Sequence, residues 1–242
     1  MSKASPTIAI ATLLLFGVVG CFNSEELPDN IDCEYEFVDT FGVKQIHDIL
    51  CTELCDSLSV WQSQNISDQE MIALTYDKLM VNRLSELSNL DVTTINQGYQ
   101  DLGITMSSLT TWGWSMENMF SGPKATLYND IQEMYEVTFD EGEILRELEE
   151  IKEEYECQLD PIFVNSVIEV AKSSLVYWNT NYTCIYDASD QRADPCRLRI
   201  AWADLWGAGY GAASSGLVGA MFGAIGGTLG AGIGAAITGG CP

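Results

Sequence analysis

The chain has 242 residues, with 35 acidic side chains against 11 basic ones and a formal net charge of −24. That balance excludes a nucleic-acid binder, for which a basic footprint is expected, and favours solubility and a cationic partner. Its single histidine, His47, excludes a histidine-based metal centre.

Residues 1–20 read as a secretory signal: Lys3 is a weak basic start, and Thr7 to Val19 form a short apolar run. Val18, Val19, Gly20 and Cys21 follow, and this tetrad resembles the lipobox of bacterial lipoproteins. The resemblance implies cleavage before Cys21 and acylation of its thiol. The alternative is an ordinary signal peptide with Cys21 in a disulfide. Residues 21–42 form an acidic tether, and Glu25 and Glu26 resemble the surface-export signals of some Gram-negative lipoproteins. Without Lys3, 35 acidic residues stand against 10 basic ones, a net charge of −25.

Residues 43–200 are expected to form a mainly α, disulfide-stapled helical domain. Val43, Ile46, Leu50, Leu54 and Leu58 repeat every three to four residues, which marks an amphipathic helix. Ser67 and Glu70 form a capping box before Ile72, Tyr76, Leu79, Leu84 and Leu87. Residues 103–122 read as a long irregular stretch, with Trp112 and Trp114 available to a ligand or folded back on the domain. Pro123 suits a first helical turn, and Leu127, Ile131 and Met134 continue from it. Residues 140–159 place Leu148, Ile151 and Tyr155 in one stripe, with Arg146 set to pair with Glu150. A further helix is predicted from Phe163 to Trp178.

Secretion makes disulfides the default for the cysteines. The candidates are Cys33, Cys51, Cys55, Cys157, Cys184 and Cys196, with Cys241 left over. Cys51 and Cys55 lie one helical turn apart, too far to bond each other. They are expected to anchor two bridges, with Cys33 and Cys157 as candidate partners, while Cys184 and Cys196 form a local pair.

The last stretch, 201–242, is the most distinctive. From Leu205 onward there is no charged side chain, and 13 of the final 38 residues are glycine. The glycines recur four apart, at Gly219, Gly223 and Gly227 and again at Gly230 and Gly234. Such spacing lets two helix backbones approach closely in a membrane. Leu217 to Ile237 would span about 31 Å at 1.5 Å per residue, near the hydrocarbon thickness of a bilayer. The expectation is a glycine-zipper membrane helix, or a short hairpin turning near residues 211–216. Trp202, Trp206 and Tyr210 would form its interface belt, and Arg192, Arg197 and Arg199 would meet anionic headgroups. The alternative is a glycine helix buried in a soluble core. The composition and spacing of residues 207–240 resemble the glycine-zipper segments of colicin V-like bacteriocins, which implies a membrane-permeabilising activity.

No catalytic motif appears, and no cofactor or metal is expected. The leading expectation is a non-enzymatic cell-envelope lipoprotein, at the outer membrane or cell surface or secreted. Its partners would be membrane lipid and a second copy packed through the zipper; the sequence points to no particular protein partner. The alternatives are a bacteriocin-like toxin and a secreted ligand-binding module anchored by its tail.

Overall fold

The hydrophobic periodicity of the chain becomes nine α-helices and one π-helical segment, with no strand among the described residues. The computed structural model describes residues 42–115, 119–137, 140–181, 184–185 and 193–239. These belong to one compact unit, Cys33–Pro242. Cys21, Cys33 and Cys241, the signal and most of the tether lie outside the described residues.

Helix α1 (Val43–Ser63) buries Val43, Ile46, Leu50, Leu54, Leu58 and Trp61, the stripe its spacing predicts. Ser67 caps α2 (Asp68–Leu74), accepting from the Glu70 N–H at 3.3 Å. The chain then passes through a π-helical segment (Thr75–Arg83) into α3 (Leu84–Ser88). The sequence carried a trace of this widening. Leu79 and Leu84 are five residues apart instead of three or four, and both are buried. Asn89 in the left-handed region ends the run, and Asp91 caps α4 (Val92–Asp101).

Within the stretch read as irregular, the structure places a seven-residue helix, α5 (Leu109–Ser115). Trp112 folds inward and donates its indole N–H to the Leu102 carbonyl at 2.8 Å; Trp114 lies on the same helix. Helix α6 (Pro123–Val137) starts at the proline and buries Leu127, Tyr128, Ile131, Met134 and Tyr135. Asp140 caps α7 (Glu141–Tyr155), which buries Ile144, Leu148 and Tyr155 and pairs Arg146 with Glu150. Helix α8 (Pro161–Asn181) is buried over most of its circumference, covering Phe163, Val164, Val167, Ile168, Leu175 and Trp178 together with the polar Asn165, Ser166, Ser173 and Ser174. Such a helix belongs at the centre of a fold.

Its main neighbour is α9 (Ala193–Thr238), broken at Ser215 and Gly216, where Gly216 adopts φ +62°. The break turns α9 into a hairpin. Its first arm runs to residue 214 and its second from residue 217. Gly211 meets Gly219, Gly207 meets Gly223, and Ala203 meets Gly227, so the arms run antiparallel. A Cβ on Gly223 would stand 1.9 Å from the Gly207 carbonyl oxygen, so only glycine fits. The tail is therefore a hairpin packed within the helical domain. Of its most apolar window, 89% is buried against α1, α4, α5 and α8.

The cysteine pairing also differs from expectation. Cys55 bonds Cys184, tying α1 to the turn that leads to α9, so Cys184 is not the local partner of Cys196. Cys51 is free and buried instead of anchoring a second bridge. Cys157 is disulfide-bonded. Pairing across 129 residues follows from where the helices stack, which residue spacing does not encode.

Gly223→Ala should lower stability in urea by about 1–3 kcal/mol, because backbone lies against backbone at that point. Gly232→Ala should be near neutral: its Cβ meets only the side-chain ends of Leu54 and Ile185, and alanine favours helix.

Candidate functional site

The hairpin and the polar cluster beneath it form the candidate site. The glycine positions divide their work between two partners. Gly219, Gly223 and Gly227 face the first arm, while Gly230 and Gly234 face the backbone of α5 at Leu109 and Thr110. The close-packing surface read from the sequence is real, and its partner in this structure is the same chain. The Trp202, Trp206 and Tyr210 stripe is half-buried on protein. Trp206 stacks on Tyr128 with ring centroids 4.0 Å apart, Trp202 meets Tyr135, and Tyr210 meets Trp112. Arg199 is exposed; Arg192 and the Arg197 side chain lie outside the described residues.

The apolar core is interrupted at one place. His47 of α1 is 1% exposed and Asp204 of the first arm is 0% exposed. His47 Nε2 lies 3.2 Å from Asp204 Oδ2 and 2.9 Å from Thr228 Oγ1 on the second arm. Its Nδ1 lies 3.1 Å from Asp48 Oδ1. Ser174 of α8 donates to Asp204, and Ser173 donates to Asp48 at 2.7 Å. One imidazole thus contacts both arms of the hairpin and sits against α8.

The charges follow from these contacts. Burial works against a charged imidazole, but the nearby Cys51 sulfur and the hydrogen bonds that the ring donates to Asp204 and Asp48 outweigh it, so the His47 pKa is raised well above its usual value. Burial pushes the Cys51 thiol up, which keeps it neutral. Burial also opposes ionisation of Asp48, yet His47 and Ser173 hold its pKa below the usual carboxylate value.

The cluster has the ingredients of a thiol nucleophile, since Cys51 Sγ lies 3.6 Å from His47 Nε2. The sulfur is fully buried and protonated, however, so it packs rather than attacks. No group of histidine, cysteine and carboxylate side chains suited to a metal occurs among the described residues. A surface groove of about 590 Å³ lies between α4 and the hairpin turn, floored by Leu102, Val218 and Phe222 and edged by Asp91 and Asp101.

The sequence reading passed over Asp204, Thr228 and Ser174. Two signals were present. Asp204 is the last charged residue before the uncharged stretch, and Thr228 is the one hydroxyl inside the window Leu217 to Ile237. No protein-family model, curated protein or solved structure matches this chain.

Replacing His47 by Gln should cost about 3–5 kcal/mol at pH 6, because Asp204 would remain buried without its counter-charge. A raised histidine pKa adds stability that is complete below about pH 6.5 and is lost as pH rises through the folded value. Wild-type stability should therefore fall as pH rises above about 6.5, and His47→Gln should remove that slope, as read by urea titrations from neutral to alkaline pH. The Asp48 contribution has the opposite sign: it is present above about pH 3.8 and lost below.

Proposed function

We propose that this chain is a non-enzymatic lipoprotein of the bacterial cell envelope that stores a membrane-active glycine hairpin in its core and delivers it to a lipid bilayer. The observation that carries this reading is the hairpin itself. The stretch Arg199–Thr238 that holds both arms is long and apolar enough to cross a membrane, and between residues 205 and 242 the chain carries no charge.

Physical chemistry favours such a transfer. In water, the seven glycines of Leu217 to Ile237 would cost a lone helix about 7 kcal/mol relative to alanine. Both the core and a bilayer suppress that cost, because each obliges the backbone to bond to itself. The interarm glycine contacts are internal to the hairpin and survive the move. Only the outer apolar face, now covered by α1, α5 and α8, exchanges protein for lipid. Lipidation at Cys21 would keep the chain at a membrane surface, and glycines freed from α5 would be open to a second copy.

The same hairpin supports a second reading, a bacteriocin-like toxin that breaches another cell's membrane. The two separate by leakage: an anchor inserts silently, whereas a toxin empties vesicles.

The test uses purified protein with phosphatidylethanolamine and phosphatidylglycerol vesicles, scoring protease protection of the tail and release of trapped dye. Wild type should become protected. A Thr110→Cys, Gly234→Cys variant supplies a lock, since a Cβ at 234 would stand 3.2 Å from that of residue 110, near disulfide range. Locked protein should stay outside the bilayer and insert only after reduction. A tail equally protease-sensitive with and without vesicles would refute the proposal.

A further inference from the structure

Asp204 is the single charged residue between positions 200 and 242, and it lies on the hairpin, not on the helices that enclose it. We propose that Asp204 couples hairpin release to proton uptake, so that the hairpin enters a bilayer only with this carboxyl neutral. The inference rests on the membrane-insertion reading above and names its control.

Arm length places Asp204 inside the lipid. Residues 205–214 cover only about 15 Å at 1.5 Å per residue, half of the roughly 30 Å hydrocarbon layer. The first arm can match the second across a bilayer only if Asp204 enters near its middle, with Arg197 and Arg199 nearer the far interface, to which long arginine side chains can reach. In the folded protein its charge is offset by His47 on α1 and by the Ser174 hydroxyl on α8. Neither residue is on the hairpin, so both are left behind when it departs. Thr228, on the second arm, travels with it and is the hydroxyl at hand for a protonated acid.

The geometry also shows an incomplete cage. Asp204 Oδ1 is buried with no hydrogen-bond partner, while Oδ2 takes the bonds from Ser174 and His47. One oxygen is thus free to receive the proton without displacing a donor. The ionisable groups facing Asp204 are His47, Asp48 and Cys51 from α1 and Tyr135 from α6; α8 contributes Ser174, and the second arm Thr228. Lys172 of α8 is engaged elsewhere, by Glu149 and Glu169. Release therefore takes one proton from solvent onto the Asp204 carboxylate, while above about pH 6.5 His47, left without its partner, gives one up, so the net uptake lies below that pH; no bond is broken or formed besides hydrogen bonds and these N–H and O–H bonds.

A carboxylate at the centre of a bilayer costs about 2.5–3.5 kcal/mol, a factor of about 60–300 in the insertion equilibrium. The experiment places an environment-sensitive fluorophore at the exposed hairpin tip, through Ser214→Cys in a Cys51→Ser, Cys241→Ser background. Uncharged phosphatidylcholine vesicles remove any pH effect of the lipid surface. The labelled protein with His47 and Asp204 intact should insert at pH 5 and at least tenfold less at pH 7.5. Asp204→Asn should insert at pH 7.5 as that protein does at pH 5. His47→Gln should insert faster at every pH and keep its acid dependence, because the carboxylate remains. Should Asp204→Asn not fold, the paired His47→Leu, Asp204→Leu variant removes both charges together, a change that folds tolerate, and it too should lose the acid dependence. Acid dependence that persists without the Asp204 carboxyl would overturn the proton coupling and leave the insertion reading intact. Absence of insertion by every variant at every pH would overturn both.

Discussion

A long, uncharged, glycine-rich segment cannot stand in water, and the architecture is arranged around covering it. The hairpin solves half of the problem internally. Gly207, Gly211, Gly219 and Gly223 bring the two arms into backbone contact, which hides polar peptide groups and seals one face of each arm. The other faces need an outer layer, and α1, α4, α5 and α8 supply it. Charge lies outside that layer: Arg83 of the π-helical segment lies between Glu53 of α1 and Glu86 of α3, and Lys172 of α8 between Glu149 of α7 and Glu169. Strong acidity on the shell and none on the last 38 residues are thus two sides of one arrangement.

Within that apolar interior, the His47 cluster has a different role from packing. A buried ion pair contributes little net stability relative to an apolar replacement, yet losing one partner is costly. It therefore acts as a register pin. His47 meets the hairpin at Asp204 on one arm and Thr228 on the other, fixing how the hairpin sits against α1. The Cys55–Cys184 disulfide adds a covalent tie between α1 and the turn preceding the hairpin. A hairpin released from the core would remain joined to α1 at its base.

Much of the shell was legible in the sequence, and the reasons are local. The α1 stripe, the Ser67 cap, the Pro123 start and the Arg146–Glu150 pair each depend on residues within one or two turns. Helix α5 was not legible: seven residues with two tryptophans and no charge give too short a window for periodicity. The glycine spacing was readable as a surface for close helix approach but not as to which helix would approach, because the same small-residue pattern serves lipid-embedded and core-buried pairs. The site was hidden for a topological reason. His47 meets its partners across 157 and 181 residues, and no local pattern links them.

The account stands or falls on whether the hairpin leaves the core as one piece. Spin labels at Val60 on α1 and Ser214 at the hairpin tip, both exposed, measure this by pulsed electron–electron distance, in a Cys51→Ser, Cys241→Ser background. A single narrow distance is predicted in solution, replaced on acidic phosphatidylcholine vesicles by a longer population, while labels on the two arms at Ala213 and Leu217 keep their separation. An unchanged distance from Val60 to Ser214 on vesicles, or arms that part from each other, would contradict it.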